Sequence, residues 1–148
     1  MSSESTKPRL VGINHVALEV DDVAQALLFW RQLFDIQLQE EEPGAAFIDL
    51  GDQFIALMDP SGPTDDLERH FGLAVDDKEA ARRVLEAAGV EILPGHRLDF
   101  RDPFGNRIQV VQYDQIQFAK TDRVLRGMGL GLGKSASALA ELKAKGLA

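Results

Sequence analysis

The sequence predicts an α+β fold in which two βαβββ modules share one curved sheet, followed by a C-terminal helical extension. Three observations predict it. Two segments resemble each other at a separation of 55 residues, from His15 to His70. A stretch of helical periodicity follows each copy, and three short strand-like runs follow each of those stretches.

The repeat aligns His15-Val-Ala-Leu-Glu-Val-Asp-Asp22 with His70-Phe-Gly-Leu-Ala-Val-Asp-Asp77, which match at His, Leu, Val and the Asp-Asp pair. In the first half, Asp21 and Asp22 are placed to cap a helix carrying Val23, Leu27, Phe29, Trp30 and Phe34. Strands are expected at 36–39, 46–50 and 54–58, with Gly51-Asp52 turning the chain before the last. In the second half, Ala81, Val84, Leu85 and Ala88 mark the helix and Gly89 its left-handed end. Strands are expected at 90–93, 98–101 and 107–113, with Asp102-Pro-Phe-Gly-Asn106 as the last turn. The modules are thus 11–60 and 68–113 within one domain, 11–113. Residues 114–148 form a tail with two short helices, 121–128 and 135–145, and the polar residues 1–10 are expected to be disordered.

Composition bounds the function. The 148 residues are 45% hydrophobic and 27% charged, ordinary values for a globular protein with a core. Acidic residues outnumber basic ones 24 to 16, a net charge of −8, which argues against nucleic acid or an anionic membrane surface as partner. There is no cysteine, so thiol catalysis, cysteine-held zinc and disulfides are excluded. Neither an apolar signal core nor a bilayer-length apolar run is present, and a cytoplasmic protein is expected.

Packing helices on one face of such a sheet leaves the other face as a trough, the natural place for a small-molecule ligand. Strand alternation says what lines it. Val16, Leu18 and Val20 suit the helix side, so His15, Ala17 and Glu19 face inward. By the same rule His70, Gly72 and Ala74 face inward, as do Arg107, Gln109, Val111 and Tyr113. Two histidines related by the repeat therefore meet a glutamine on one surface.

These residues give the chain a recognisable likeness. Ile13-Asn-His-Val-Ala-Leu18, Arg69-His-Phe-Gly72 and Asp102-Pro-Phe-Gly-Asn-Arg-Ile-Gln109 resemble the vicinal-oxygen-chelate superfamily of glyoxalase, bleomycin-resistance, fosfomycin-resistance and dioxygenase proteins. The resemblance covers about residues 11–113. It implies a metal site in which a histidine opens each half and a carboxylate stands on the last strand of one or both halves. His15 and His70 match the histidines, Gln109 stands where the carboxylate is expected, and Ala56 takes the fourth position. Two imidazoles and a carboxylate suit Fe, Mn or Zn, and Ni is a further candidate. Exchanging the carboxylate for Gln109 keeps one oxygen donor, removes a charge and weakens the divalent site; an amide also cannot act as a base. The resemblance further implies a homodimer.

Other candidates carry two readings each. His15 and His70 are either ligands of a shared site or core histidines bonded to backbone. Gln109 is a ligand or a polar group satisfied by a neighbour. Glu19 and Arg101 are candidate catalytic groups or solvated charges. Phe47, Ala56, Asp99, Arg107 and Tyr113 are candidate cavity residues. Gly127-Met-Gly-Leu-Gly-Leu-Gly-Lys-Ser135 imitates a phosphate loop, but Met128 occupies the position that must be glycine and no strand leads into it. The expected function is a glyoxalase- or dioxygenase-like protein acting on a small molecule through a weakly held divalent ion; the alternative is a metal-free sequestration protein of the bleomycin-resistance type.

Overall fold

The computed structural model describes residues 7–59 and 68–148. One mixed sheet of seven strands carries helices on one face and the C-terminal tail on the other. The strands are β1 (Leu10–Glu19), β2 (Leu38–Glu42), β3 (Ala45–Asp49), β4 (Phe54–Met58), β5 (His70–Val75), β6 (Leu98–Arg101) and β7 (Arg107–Gln112). Their spatial order is β2-β3-β4-β1-β5-β7-β6. Within each half the first strand runs parallel to the last, β1 with β4 and β5 with β7. The halves join where β1 meets β5 in antiparallel register, so the repeat becomes a local twofold arrangement inside a continuous sheet.

Each helix starts where the repeat's Asp-Asp pair ends. Asp22 caps α1 (Val23–Leu33) by accepting from Gln25 N, and Asp77 caps α2 (Lys78–Ala87) by accepting from Ala80 N. Helix α1 lays Leu27 on Ala46, Ile48 and Leu57, while α2 lays Ala81 on Val75, Leu98 and Val110. Gly89 ends the second helix at φ +70°, a conformation glycine adopts without strain.

Two strand expectations are corrected. The strand read at 36–39 lies at Leu38–Glu42, because the chain turns at Pro43-Gly44 and Glu40 to Glu42 pair with β3 on an exposed edge. The run at 90–93 is reduced to a single bridge between Ile92 and Phe100. Of the segment expected to be disordered, residues 1–6 lie outside the described residues. Arg9 is held by Asp76 and by the carbonyl of Met128, and Leu10 already pairs with Val75.

The tail forms α3 (Asp122–Gly127) and α4 (Ala136–Ala144), with Thr121 and Ser135 as their caps. It docks on the trough face. Tyr113, Phe118, Leu125 and Leu130 bury Val11 and Ala74 there. Phe118 rests on Gly12, where an added Cβ would lie 2.6 Å from the ring. Lys145 ties the far end to Asp49 at 2.9 Å and to the carbonyl of Gly51 at 2.8 Å. The fastening is Lys134: its ammonium donates to the carbonyls of Tyr113, Ile116 and Phe118 and sits 3.4 Å from the Tyr113 ring centroid. Exchanging Lys134 for Met keeps the aliphatic stem and removes every donor. Hydrogen bonds from a charged group contribute about 1.5–3 kcal/mol each when well buried. Lys134 is half-buried, so Lys134→Met is expected to cost about 2 kcal/mol in urea unfolding and to speed amide exchange in 114–134. Unchanged exchange and unchanged stability would show that the tail is held by its apolar contacts alone.

Candidate functional site: two facing imidazoles in the trough

The sheet register assembles the site in one lateral row. His15 of β1 lies opposite Phe54 of β4 and Gly72 of β5. Gly72 lies opposite Gln109 of β7, and Gln109 opposite Asp99 of β6. In the next row Ala17 lies between Ala56 and His70. The register of β7 is set by its hairpin turn, in which Asp102 accepts from the backbone of Phe104 and Asn106.

His15 and His70 are both buried, at 6% and 8% exposure, and their Nε2 atoms lie 3.1 Å apart with the rings nearly perpendicular at 82°. The outer nitrogens are both engaged. The carbonyl of Glu68 accepts from His70 Nδ1 at 2.6 Å, and Asn14 Oδ1 lies 2.9 Å from His15 Nδ1. The Glu68 carbonyl only accepts, so the His70 ring proton belongs on Nδ1 and its Nε2 carries the lone pair, while the His15 tautomer decides whether His15 Nε2 donates to it or faces it with a second lone pair. The His15 ring is clamped further by Phe54, stacked parallel at 4.6 Å, with Phe47 edge-on behind it. A β-bulge between Ile13 and His15 brings Asn14 and His15 to the buried side together.

Gly72 is what lets the ring lie there. A Cβ at that position would coincide with the Nδ1–Cε1 edge of His15 and with Asn14 Oδ1. A glycine inside a strand often marks such a close approach, and this was the available sequence signal for it. Asn14, by contrast, gave no periodicity signal, because the bulge reverses the alternation beneath it.

Electrostatics keep both imidazoles neutral. Burial, followed by repulsion from His70, pushes His15 down to about 4, against a partial lift from its side-chain hydrogen bond with Gln109. Burial also lowers His70, opposed by its bond to the Glu68 carbonyl. Neutral imidazole is the metal-binding form. Two nitrogens bound at right angles to an ion with metal–nitrogen bonds of about 2.1 Å lie about 3.0 Å apart, so the observed separation fits adjacent positions on one ion. Gln109 is the third group that reaches His15. No carboxylate completes a set: among the described residues no three His, Asp or Glu side chains converge closely enough to share an ion. An ion bound by these donors would be held without charge neutralisation.

The remaining candidates are placed as follows. Glu19 accepts from the backbone N of Glu68 at 2.6 Å and pairs with Arg69 at 3.8 Å, which fixes the segment leading into His70. Arg101 donates to the carbonyl of Gly105 across the hairpin. Ala56 is buried between Ala17 and Phe47 and offers no donor group. Tyr113 is buried beneath the tail, where its hydroxyl accepts from Lys120 N, so it belongs to the tail's core. Asp99 is 2% exposed; its Oδ2 takes both Nε and Nη2 of Arg107, at 2.9 and 2.7 Å, while Oδ1 has no hydrogen-bond partner among the described residues. A buried acceptor left so costs about 1–3 kcal/mol.

A cleft of about 390 Å³ opens at the site, lined by His70, Arg69, Arg101 and Arg107 among others. A second of about 190 Å³ lies under the tail between Asn14, Phe54 and Phe118. No helix among the described residues is long and apolar enough to cross a membrane.

The sequence profile of the Glyoxalase/Bleomycin resistance protein/Dioxygenase superfamily matches residues 12–110. Among solved structures, the Mn(II)-bound glyoxalase from Novosphingobium aromaticivorans superposes with a TM-score of 0.59 at 19% identity, over 78% of this chain and 42% of that one. This chain thus spans less than half the length of that glyoxalase chain. Methylmalonyl-CoA epimerase from Mycobacterium tuberculosis superposes with a TM-score of 0.57 at 20% identity, over 76% of this chain and 92% of that one. At such identities the structural likeness establishes the fold.

Proposed function

The chain belongs to the Glyoxalase/Bleomycin resistance protein/Dioxygenase superfamily, and from that membership we propose that its trough takes a small molecule whose oxygens meet a divalent cation held by His15, His70 and Gln109. The observation that carries this reading is the 3.1 Å approach of the two buried Nε2 atoms, a separation that suits two adjacent ligands of one ion. Without an ion, one tautomer of His15 satisfies that contact by donating Nε2–H to the His70 Nε2 lone pair; a divalent cation would take the place of the shared proton. When bound, such an ion polarises substrate oxygens as a Lewis acid. The protein's own part is to orient the two rings, through Asn14 and the Glu68 carbonyl, and to keep them neutral. Gln109 contributes an oxygen but no base, so a reaction needing proton removal by a ligand carboxylate is disfavoured. The 19%-identical neighbour with Mn(II) makes that ion a suitable first probe.

Titration with Mn(II), Fe(II), Zn(II) and Ni(II), followed by calorimetry and by the paramagnetic signal of Mn(II), tests the reading. Gln109→Glu restores a carboxylate at the third position and is expected to tighten binding about tenfold or more. If no ion binds the parent protein or this variant near 1 mM, about the weak end of biological sites, the metal is abandoned.

One observation favours a second reading, a metal-free binding protein: the absence of a converging carboxylate among the described residues. That reading keeps the trough and predicts ligand binding unaffected by a chelator. We also propose a homodimer. Leu10, Ile13 and Val16 of β1 and Leu28, Phe29, Leu33 and Phe34 at α1 are exposed by 42–68%, apolar area of the kind that a second copy covers. Sedimentation measures that directly.

A further inference from the structure

We propose that the cleft holding His70 recognises its ligand by an oxyanion, a carboxylate or a phosphate group, which Arg101 and Arg107 take between them. The inference rests on the small-molecule reading of the trough and not on the metal. The cleft, of about 390 Å³, is lined by Arg69, His70, Arg101 and Arg107, with Phe71 and Ile108 as an apolar wall and the β6–β7 turn beside them. Among the described residues its lining has three guanidinium groups and one carboxylate, that of Asp102. This reverses the balance of a chain in which acidic residues outnumber basic ones 24 to 16.

The decisive feature is a like-charge pair. Arg101 of β6 lies directly opposite Arg107 of β7 in the antiparallel ladder. Side chains so placed share one face, with Cβ atoms about 5 Å apart, and like charges there destabilise the sheet. Alternation puts that face on the trough, because the opposed pair two residues further along the same strands is Asp99 with Gln109, and Gln109 reaches His15. The two arginines are compensated differently. Arg107 is held by Asp99 at 2.9 and 2.7 Å. Arg101 makes no ion pair among the described residues; Nη1 donates to the neutral carbonyl of Gly105 at 3.0 Å. Asp102 spends its oxygens inside the turn, Oδ1 on the backbone of Phe104 and Asn106 and Oδ2 on Asn106 Nδ2. A repulsive pair thus stands in the lining of a cleft, and an oxyanion between the two guanidinium groups turns that repulsion into charge-assisted hydrogen bonds on both sides. Phe71 and Ile108 take the apolar body of the ligand, and His70 in the same lining brings that body to the imidazole pair.

The test uses the full-length protein, stripped of metal with EDTA and desalted into a phosphate-free buffer, and three small probes. These are propanoate, methyl phosphate and propanamide, which has the shape of propanoate without its charge. Side-chain Nε–Hε resonances of the arginines report binding by NMR. At least one anion is expected to bind about fivefold or more tightly than propanamide and to shift the Arg101 and Arg107 resonances; the tighter anion identifies the oxyanion. Arg101→Gln should remove that preference without lowering the melting temperature, because it relieves the like-charge pair. Arg82→Gln removes the same charge from α2 and should leave the preference intact. A preference retained in Arg101→Gln overturns the proposal, whatever the stability of that variant. Equal affinities for the three probes, or no shift up to about 50 mM, the order of the weakest fragment binding, overturn it as well. Should Arg101→Gln not fold, the probe ranking on the parent protein still decides. Anion binding without any divalent-ion binding would leave this site standing and remove the metal; ion binding with no preference among the probes would do the opposite.

Discussion

Gly72→Ala is expected to abolish the facing-imidazole arrangement while leaving the sheet in place. The added methyl group would lie 2.2 Å from the His15 ring edge and from Asn14 Oδ1, so both must shift to admit it. The ring is held between Phe54 on one side and His70 on the other, and Asn14 is fixed to it by a hydrogen bond. Overpacking of this kind costs about 1–3 kcal/mol, and the upper part of that range is expected in urea unfolding. Affinity for a divalent ion should fall about 100-fold, the scale seen when a ligand loses its orienting partner. The cause is separable from a general strand effect. In a background where Asn14 and His15 are both alanine, the same glycine change should be nearly neutral, because the volume it needs has been vacated. An equal cost in both backgrounds would place the strain in the backbone of β5 and refute the steric account.

The second large effect is on stability as a function of pH. His15 titrates at about 4 in the folded protein and near 6.5 in the unfolded chain. Between those values the unfolded chain binds the extra proton and the folded one does not, so stability rises with pH across the window. Acidification from pH 6.5 to 4 is therefore expected to remove about 3 kcal/mol through this residue alone, with His70 contributing in the same direction. Above pH 7 the curve should be flat with respect to both rings. Denaturant melts at a series of pH values, with EDTA present, measure this. His15→Gln should flatten the slope between pH 4 and 6.5. A variant that keeps the full slope would mean that the acid sensitivity originates elsewhere.

The fold was largely legible because its strongest signals are local and repeated. The Asp-Asp pairs cap both helices as their position suggested, and Thr121 and Ser135 cap the tail helices at the predicted starts. Alternation placed His15, His70 and Gln109 on one face because β5 and the β7 strand are regular through those residues. Legibility failed where regularity fails. The polar edge strand Leu38–Glu42 has no apolar alternation to reveal it, and Ile92 retains one bridge where four strand residues were expected. Within the site, the partners that orient the imidazoles lie outside any pattern: one is a side chain carried inward by a bulge, the other the backbone carbonyl of Glu68. Tyr113 was assigned to the cavity by strand alternation, but the tail that folds over it decides its surroundings, and nothing in a period of two residues encodes that contact.

The antiparallel pairing of β1 with β5 has a consequence for biosynthesis. Until residues 70–75 have emerged, β1 presents an unpaired backbone edge, the sort of edge through which nascent chains stick to one another. Its proper cover is made more than fifty residues later, and the same event brings the second imidazole to the first. Closing that edge and creating the binding centre are thus one event, so a half-made chain is at once prone to aggregate and unable to capture any ligand that needs both rings.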